Sequence, residues 1–254
     1  MRAIILAAGR GSRLQQSEEK PKCLLRFGDM TLLQRHLTLL RQAGVEEVVL
    51  ALGFHHDQVE AEVARLDWQP RPEIVLNARF DLGSVLTVYT VQDALTRGGD
   101  VLLMDADVLY DERIMAALTQ GAVAVNRLLI DRDFEPGDEP VKVCTQGAVP
   151  IELRKRLEPD LVYDGIGESI GFFRFSEAGA KRLAELVEDY IESDRADMPH
   201  EEAVRDFVRE RSQPIEVGDV TGAPWIEIDF PVDVARAAKE VLPQLKPLAG
   251  ALTA

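Results

Sequence analysis

Cysteine is scarce: Cys23 and Cys144 are the only two in 254 residues. Neither belongs to a paired metal-type spacing, so no disulfide framework or structural zinc site is expected, and both thiols are read as reduced. Long apolar runs are missing as well, since nothing approaches the ~18 residues of a membrane span. Met1 leads straight into a strand pattern, so no signal peptide is expected and the chain is read as cytoplasmic. Positive charge is in deficit, with 29 basic against 44 acidic residues and a net charge of −15. That balance argues against a nucleic-acid-binding surface. The four histidines, His36, His55, His56 and His200, show no zinc spacing, and there is no Gly-x-Ser-x-Gly nucleophile turn. No hexapeptide repeat is present, so a β-helical tail is not expected, and neither low-complexity tracts nor other repeats occur.

Against that acidic background one stretch is locally basic. Leu6-Ala-Ala-Gly-Arg-Gly-Ser-Arg13-Leu14 follows the apolar run from Ala3 to Leu6, and Lys20-Pro21-Lys22 comes soon after. Gly9 and Gly11 let the backbone turn sharply behind a strand and approach a ligand with bare N–H groups. Arg10, Arg13, Lys20 and Lys22 add cations, so the segment suits a polyphosphate held in a focused site. It is not a P-loop, because no Gly-Lys-Ser/Thr follows. Nor is it the dinucleotide fingerprint, because Leu14 stands where that motif has its third glycine.

Strand and helix patterns alternate through the first half. Residues 3–7, 47–52, 73–76, 100–104 and 122–126 read as buried strands, and 31–43, 57–66, 84–95 and 112–120 as helices. The expected fold is α/β, a Rossmann-like, mostly parallel central sheet flanked by helices, with ligands beyond the carboxyl ends of the strands. Residues 1–243 read as one domain with a small excursion over about 131–166, beginning in the acidic, proline-containing stretch 131–140. A strand over 167–175, helices over 177–193, 199–211 and 231–241, and a short strand over 225–228 complete it. Residues 244–254 are expected to fray.

Carboxylates mark a second constellation. Met104-Asp-Ala-Asp-Val-Leu109 follows an apolar run, and Asp105 and Asp107 fall on one side of extended backbone. Such carboxylates, with phosphate oxygens and water, suit magnesium. Each also suits a helix cap: Asp105 or Asp107 for the helix after them, Asp229 for the helix from Pro231.

The glycine motif, the Pro-Lys pair and the apolar helix Thr31-Leu-Leu-Gln-Arg-His-Leu-Thr-Leu-Leu40 together resemble the nucleotidyltransferase superfamily typified by sugar-1-phosphate nucleotidyltransferases. The short length and the segment Pro224-Trp-Ile-Glu-Ile-Asp-Phe-Pro-Val-Asp233 are most similar to cytidylyltransferases of the phosphocholine, inositol 1-phosphate and phosphonate type. The resemblance implies a nucleotide-diphospho-sugar transferase type of fold, with the excursion on the acceptor side. It implies that CMP is transferred from CTP to a phosphorylated alcohol or phosphonate with release of pyrophosphate, and that Mg2+ takes part. It assigns Arg13 and Lys22 to catalysis and Asp107 and Asp229 to the metal. Leu6, Ala7, Ala8, Gly9, Gly11, Ser12, Asn77, Gly83, Ser84 and Asp105 fall to the nucleotide, with Asn77 equally suited to a turn and Gly83-Ser84 to a helix start. Glu168, Ser169 and Trp225 fall to the acceptor, Glu168 meeting a hydroxyl or an ammonium group. Tyr163, Tyr190 and the stretch Pro199-His-Glu-Glu202 are further candidates for that side. Expected partners are CTP and a small phosphorylated acceptor, with no nucleic acid and no membrane insertion, and a homodimer is compatible. The chain departs from the common pattern at Gln15-Gln-Ser-Glu-Glu19, where many relatives carry Pro and Thr. Two alternatives stay open: a sugar-1-phosphate nucleotidyltransferase using UTP, GTP or dTTP, which the absence of hexapeptide repeats weakens slightly, and a catalytically silent nucleotide-binding regulator.

Overall fold

The computed structural model describes residues 1–14, 20–122 and 124–248. The loop 15–19 and the last six residues of the expected tail therefore lie outside the described residues. In chain order the elements begin with β1 (Arg2–Ala7), the short pair β2 (Arg26–Phe27) and β3 (Met30–Thr31), and α1 (Leu32–Gln42). β4 (Glu47–Leu52), α2 (His56–Leu66), β5 (Glu73–Leu76), α3 (Ser84–Thr90), α4 (Gln92–Thr96), β6 (Val101–Asp105), β7 (Val108–Tyr110) and α5 (Glu112–Thr119) follow. The second half holds β8 (Asn126–Asp131), β9 (Lys142–Gln146), β10 (Val149–Arg154), β11 (Gly165–Phe175), α6 (Glu177–Glu192), α7 (His200–Glu210), β12 (Ile215–Asp219), β13 (Trp225–Glu227) and α8 (Pro231–Arg236).

One sheet organises the molecule, in the order β10-β9-β11-β6-β1-β4-β5, with β8 set against β11 and β12 against β8. Its centre, β6-β1-β4-β5, is parallel, and the helices between these strands supply the crossovers that parallel pairing needs. β11 then runs antiparallel to β6. Because side chains alternate along a strand, β1 feeds two cores. Ala3, Ile5 and Ala7 pack with Leu33 and Leu37 of α1, Val59 of α2 and Ile114 of α5. Ile4 packs on the other face with Val85 of α3, Leu183 of α6 and Val204 of α7. Helices thus cover both faces, and the carboxyl ends of β1 and β6 stay open at one edge.

Three departures from the sequence expectation have local causes. The fifth strand is Asn126–Asp131 rather than 122–126. Leu128, Leu129 and Ile130 are fully buried there, while Asn126 serves α6, its Oδ1 accepting from the Ser176 N–H at 2.8 Å. The excursion is not bare loop, because β9 and β10 pair as a hairpin that extends the sheet beyond β11. The chain also does not come loose at 244, since Leu245 is buried and Leu248 packs on the core. Cys23 and Cys144 are free and buried, and burial pushes their thiols up to about 12 and about 11.

One buried contact ties the helical layer to the open edge. His36 of α1 is fully buried; its Nε2 lies 3.2 Å from the Ala106 carbonyl and its Nδ1 3.2 Å from the Tyr110 hydroxyl. A carbonyl only accepts, so Nε2 carries the proton and the tyrosine donates to Nδ1. The turn between Asp105 and Asp107 is thereby fixed from below. Burial, with the Arg35 charge adding to it, lowers the His36 pKa from 6.5 to about 4. The unfolded chain takes the proton first, so this contribution is complete above pH 6.5 and is lost as pH falls toward 4, a loss of roughly 3 kcal/mol at most. We expect the melting temperature to fall over that window more steeply in the wild type than in His36→Gln. Superimposable pH profiles would remove His36 from this role.

Candidate active site

The open edge carries a cavity of about 720 Å3. Leu6, Ala7, Ala8, Gly9, Gly11 and Ser12 line it in sequence, as a continuous turn leaving β1. The turn is held by the Phe54 N–H donating to the Ala8 carbonyl at 3.0 Å and the Leu14 N–H to the Gly11 carbonyl at 2.9 Å. Gly11 is needed at its place: its φ is +64°, and a Cβ there would sit 2.9 Å from Cγ of Lys22. Lys22 itself begins a single tight turn after Pro21, closed by the Leu25 N–H on the Lys22 carbonyl at 2.9 Å.

Lys22 is the hub. Its Nζ donates to Asp107 Oδ2 and to Asp229 Oδ1, each at 2.8 Å. Arg13 donates to Asp229 Oδ2 at 3.0 Å and to Glu139 at 3.3 Å. Burial alone favours a neutral lysine, but the Asp107 and Asp229 carboxylates outweigh it and hold the ammonium charged, above the usual lysine range. Asp229 stays low despite its own burial because Lys22, then Arg13, favour the carboxylate.

The backbone explains how residues 122 positions apart in sequence meet. β13 pairs antiparallel with β7, and the Ile228 N–H donates to the Asp107 carbonyl at 3.0 Å. With Ile228 fully buried, Glu227 and Asp229 flank it on the opposite side of the chain. Asp107, Glu227 and Asp229 each place one oxygen within 4.8 Å of the others. An all-oxygen, hard donor set of this kind fits Mg2+ or a similar divalent cation. Glu227 opens onto the cleft, yet protein surrounds it. That enclosure, and then Asp107 and Asp229, push its carboxyl well above the usual carboxylate range. Sequence reading passed over Glu227, although its i, i+2 spacing from Asp229 across an apolar residue was the available signal.

The capping alternatives do not account for these carboxylates. Asp111 caps α5, accepting from the Arg113 N–H. At α8 the Asp233 carboxylate accepts from the Asp229 and Phe230 N–H groups at 3.1 and 2.7 Å. Asp105 also lines the cavity; burial, then Glu201 and Asp107, raise its carboxyl well above the ordinary range.

The remaining candidates divide. Ser84 lines the main cavity, whereas Asn77 and Gly83 do not. Asn77 is an internal brace, donating to Thr87 Oγ1 and accepting from the Arg79 N–H, both at 3.0 Å. Lys20 faces a different depression beside Glu62. Arg10 reaches the cavity with its guanidinium 5.2 Å from the Phe54 ring centre. The acceptor candidates split because neighbours on β11 face opposite ways. Ser169 lines the main cavity, while Glu168 and Trp225 line a second one of about 580 Å3, where Phe134 and Phe230 also lie. Glu139, Glu227 and Asp229 are common to both walls, so the two cavities meet at the Lys22 cluster. Trp225 is fixed by Nε1 donating to Asp131 Oδ2 at 2.8 Å. Burial, then the Asp131 carboxylate, raise the Glu168 pKa from 4.5 to about 7. Tyr163 is exposed, and Tyr190 is buried with its hydroxyl on Asp206, so neither borders these cavities. Pro199, His200 and Glu201 line the main cavity, on the glycine-loop side rather than with Glu168.

Known proteins share this architecture. A CTP:phosphoglutamine cytidylyltransferase of Campylobacter jejuni is 25% identical over 210 residues, covering 77% of this chain and 79% of that protein. A bifunctional IPC transferase and DIPP synthase of Aquifex aeolicus is 27% identical over 242 residues, which are 93% of this chain but 51% of the relative, so the chain spans about half of that protein's length. Among solved structures, the inositol-1-phosphate CTP transferase from T. maritima superposes with a TM-score of 0.80 at 21% identity, over 98% of this chain and 97% of that one, a likeness of fold. No helix among the described residues is long and apolar enough to cross a membrane. The sequence profile of the MobA-like NTP transferase domain matches residues 3–158, more than half of the chain, and the chain belongs to that family of nucleotidyltransferases.

Proposed function

We propose that this nucleotidyltransferase is a CTP-dependent cytidylyltransferase that transfers CMP to a phosphorylated alcohol or phosphonate and releases pyrophosphate. The observation that carries the reading is the Lys22–Asp107–Asp229 cluster, standing where a glycine-loop cavity and a second cavity meet. CTP as the donor, and an acceptor that is a phosphorylated small molecule, are supported by the activities of the relatives named above.

In this reading the triphosphate lies along the turn from Gly9 to Arg13, where backbone N–H groups and Arg13 take the β- and γ-phosphates. Lys22 serves the α-phosphate, at the boundary that the acceptor phosphate reaches from the second cavity. Attack by an acceptor oxygen forms one P–O bond at the α-phosphorus and breaks the bond to the pyrophosphate oxygen. The protein supplies alignment of two repelling anions and positive charge on the reacting centre. Asp107, Asp229 and Glu227 would hold Mg2+, which when bound neutralises phosphate charge. Glu168 and Trp225 would contact the acceptor's non-phosphate end.

Pyrophosphate release across a matrix of nucleoside triphosphates and phosphorylated acceptors tests this directly, and we expect CTP to lead and a divalent cation to be required. Asp107→Asn and Asp229→Asn should each remove most activity. Lys22→Ala should lower kcat by about 10²–10³-fold with a smaller change in the CTP KM. Wild-type turnover in any of the three, with the fold intact by circular dichroism, excludes that side chain from the site.

Glu168 gives a separate check on the acceptor side. Glu168→Gln should raise the acceptor KM about tenfold and leave the CTP constant unchanged. Its raised pKa means that the folded form holds the proton longer than the unfolded chain. The stability tied to Glu168 is therefore present below pH 4.5 and lost as pH rises through about 7. Glu168→Gln should melt above the wild type at pH 8 and level with it at pH 4. An altered CTP constant with an unchanged acceptor constant would place Glu168 on the wrong side of the cleft.

A further inference from the structure

Two cavity carboxylates take no part in the Lys22 cluster. Asp105 ends β6 and Glu201 lies in the first turn of α7, and both line the glycine-loop cavity. Among the described residues neither is hydrogen-bonded by a lysine or arginine. His200 approaches both, with Nε2 at 3.8 Å from Asp105 Oδ1 and Nδ1 at 3.2 Å from Glu201 Oε2. Neither approach has hydrogen-bond geometry, because His200 Nε2 and Glu201 Oε2 are both buried without a partner.

This corner is built, not incidental. Only 5% of the His200 side chain is exposed. Ser84 Oγ accepts from the His200 backbone N–H at 2.8 Å and lies 3.0 Å from its Nδ1. Ser84 thus holds the ring by its Nδ1 edge, and Nε2 faces Asp105. On the other side Gly171, at φ +75°, leaves room for the carboxylate, since a Cβ there would fall 2.3 Å from Asp105 Oδ2. A buried ring nitrogen with no partner, 3.8 Å from a carboxylate oxygen, is one short movement from a hydrogen bond.

The place of this corner says what it meets. Asp105 is the register partner of Leu6, near the end of β1. The cavity that holds this corner is lined by the turn and Lys22, the phosphate end, and also by Phe80, Leu82 and Thr87, which suit a flat base. The sugar of a nucleotide bridges those two ends. Carboxylates repel phosphate but accept from hydroxyl groups, and a vicinal diol offers two donors to two carboxylates.

We propose that Asp105 and Glu201 bind the ribose 2′- and 3′-hydroxyls of the nucleotide, and that His200 positions Asp105 for this contact. The inference rests on the glycine-loop cavity being the nucleotide site. It makes the sugar a point of selection, because a site built to bond a hydroxyl is left with unpaired groups when the hydroxyl is missing.

Calorimetric binding of CTP, 2′-deoxyCTP and 3′-deoxyCTP to the wild type in Mg2+, without acceptor, tests it. CTP should bind about tenfold more tightly than either deoxy form. Glu201→Ala should lose affinity for CTP while changing little for at least one deoxy form, so that the discrimination collapses. His200→Ala should lose it too, and His200→Gln, which keeps a donor, should restore it. Equal binding of all three nucleotides by the wild type overturns the inference alone. So does a Glu201→Ala variant that keeps full discrimination, or that instead raises only the acceptor KM. If no nucleoside triphosphate binds the wild type, the proposed function falls as well, which separates the two failures.

Discussion

Three carboxylates held close together set the terms for this structure. Asp107, Glu227 and Asp229 bring oxygen atoms within 4.8 Å of one another. Like charges at that spacing repel by roughly 3–4 kcal/mol per pair even at the effective dielectric of a protein surface. The Lys22 ammonium between two of them, at 2.8 Å from each, offsets that repulsion, and Arg13 adds a second cation at Asp229. At Glu227 burial, and then the Asp107 and Asp229 charges, drive the carboxyl toward its neutral form. A divalent cation bound at the carboxylates would relieve the same repulsion and release Lys22 toward phosphate.

The scaffold holds the carboxylates in place against that repulsion. β6 is an interior strand and delivers Asp105 and Asp107 at its end, and His36 fixes the Ala106 carbonyl between them. β13 reaches the same point from the far end of the chain by pairing with β7, and the buried Ile228 anchors it. Glycine at position 11 lets Lys22 lie against the glycine turn. Chain segments remote in sequence therefore converge on one ammonium, and the two cavities on either side of it share the Glu227 and Asp229 wall.

What was legible in the sequence follows from how local each signal is. Glu47–Leu52 and Glu73–Leu76 are apolar or alternating runs between turns, and their bounds agree with the expectation. The glycine turn and the aspartates after β6 were legible because strand-end chemistry is written in consecutive residues. The β9–β10 hairpin was not, because its place in the sheet depends on β11, which follows it in the chain. The strand at Asn126–Asp131 was set too early because both of its ends are polar for reasons outside the strand. Asn126 serves α6, and Asp131 holds the Trp225 indole. Glu168 and Ser169 were read together, but strand alternation sends them to different cavities. The stretch Pro199-His-Glu-Glu202 reads from sequence as an acceptor-side candidate, whereas the His200 contact with Ser84, 116 residues away, leaves no local signal.

We propose that Lys22 leaves its carboxylates when the nucleotide and a divalent cation arrive. A crystal structure of the protein with CTP and Mg2+ tests it most directly. We expect a cation coordinated by Asp107 and Asp229, the triphosphate along residues 9–13, and Lys22 Nζ within hydrogen-bond distance of an α-phosphate oxygen. A complex in which Lys22 keeps both carboxylate contacts, while the nucleotide or the cation lies elsewhere, would contradict it.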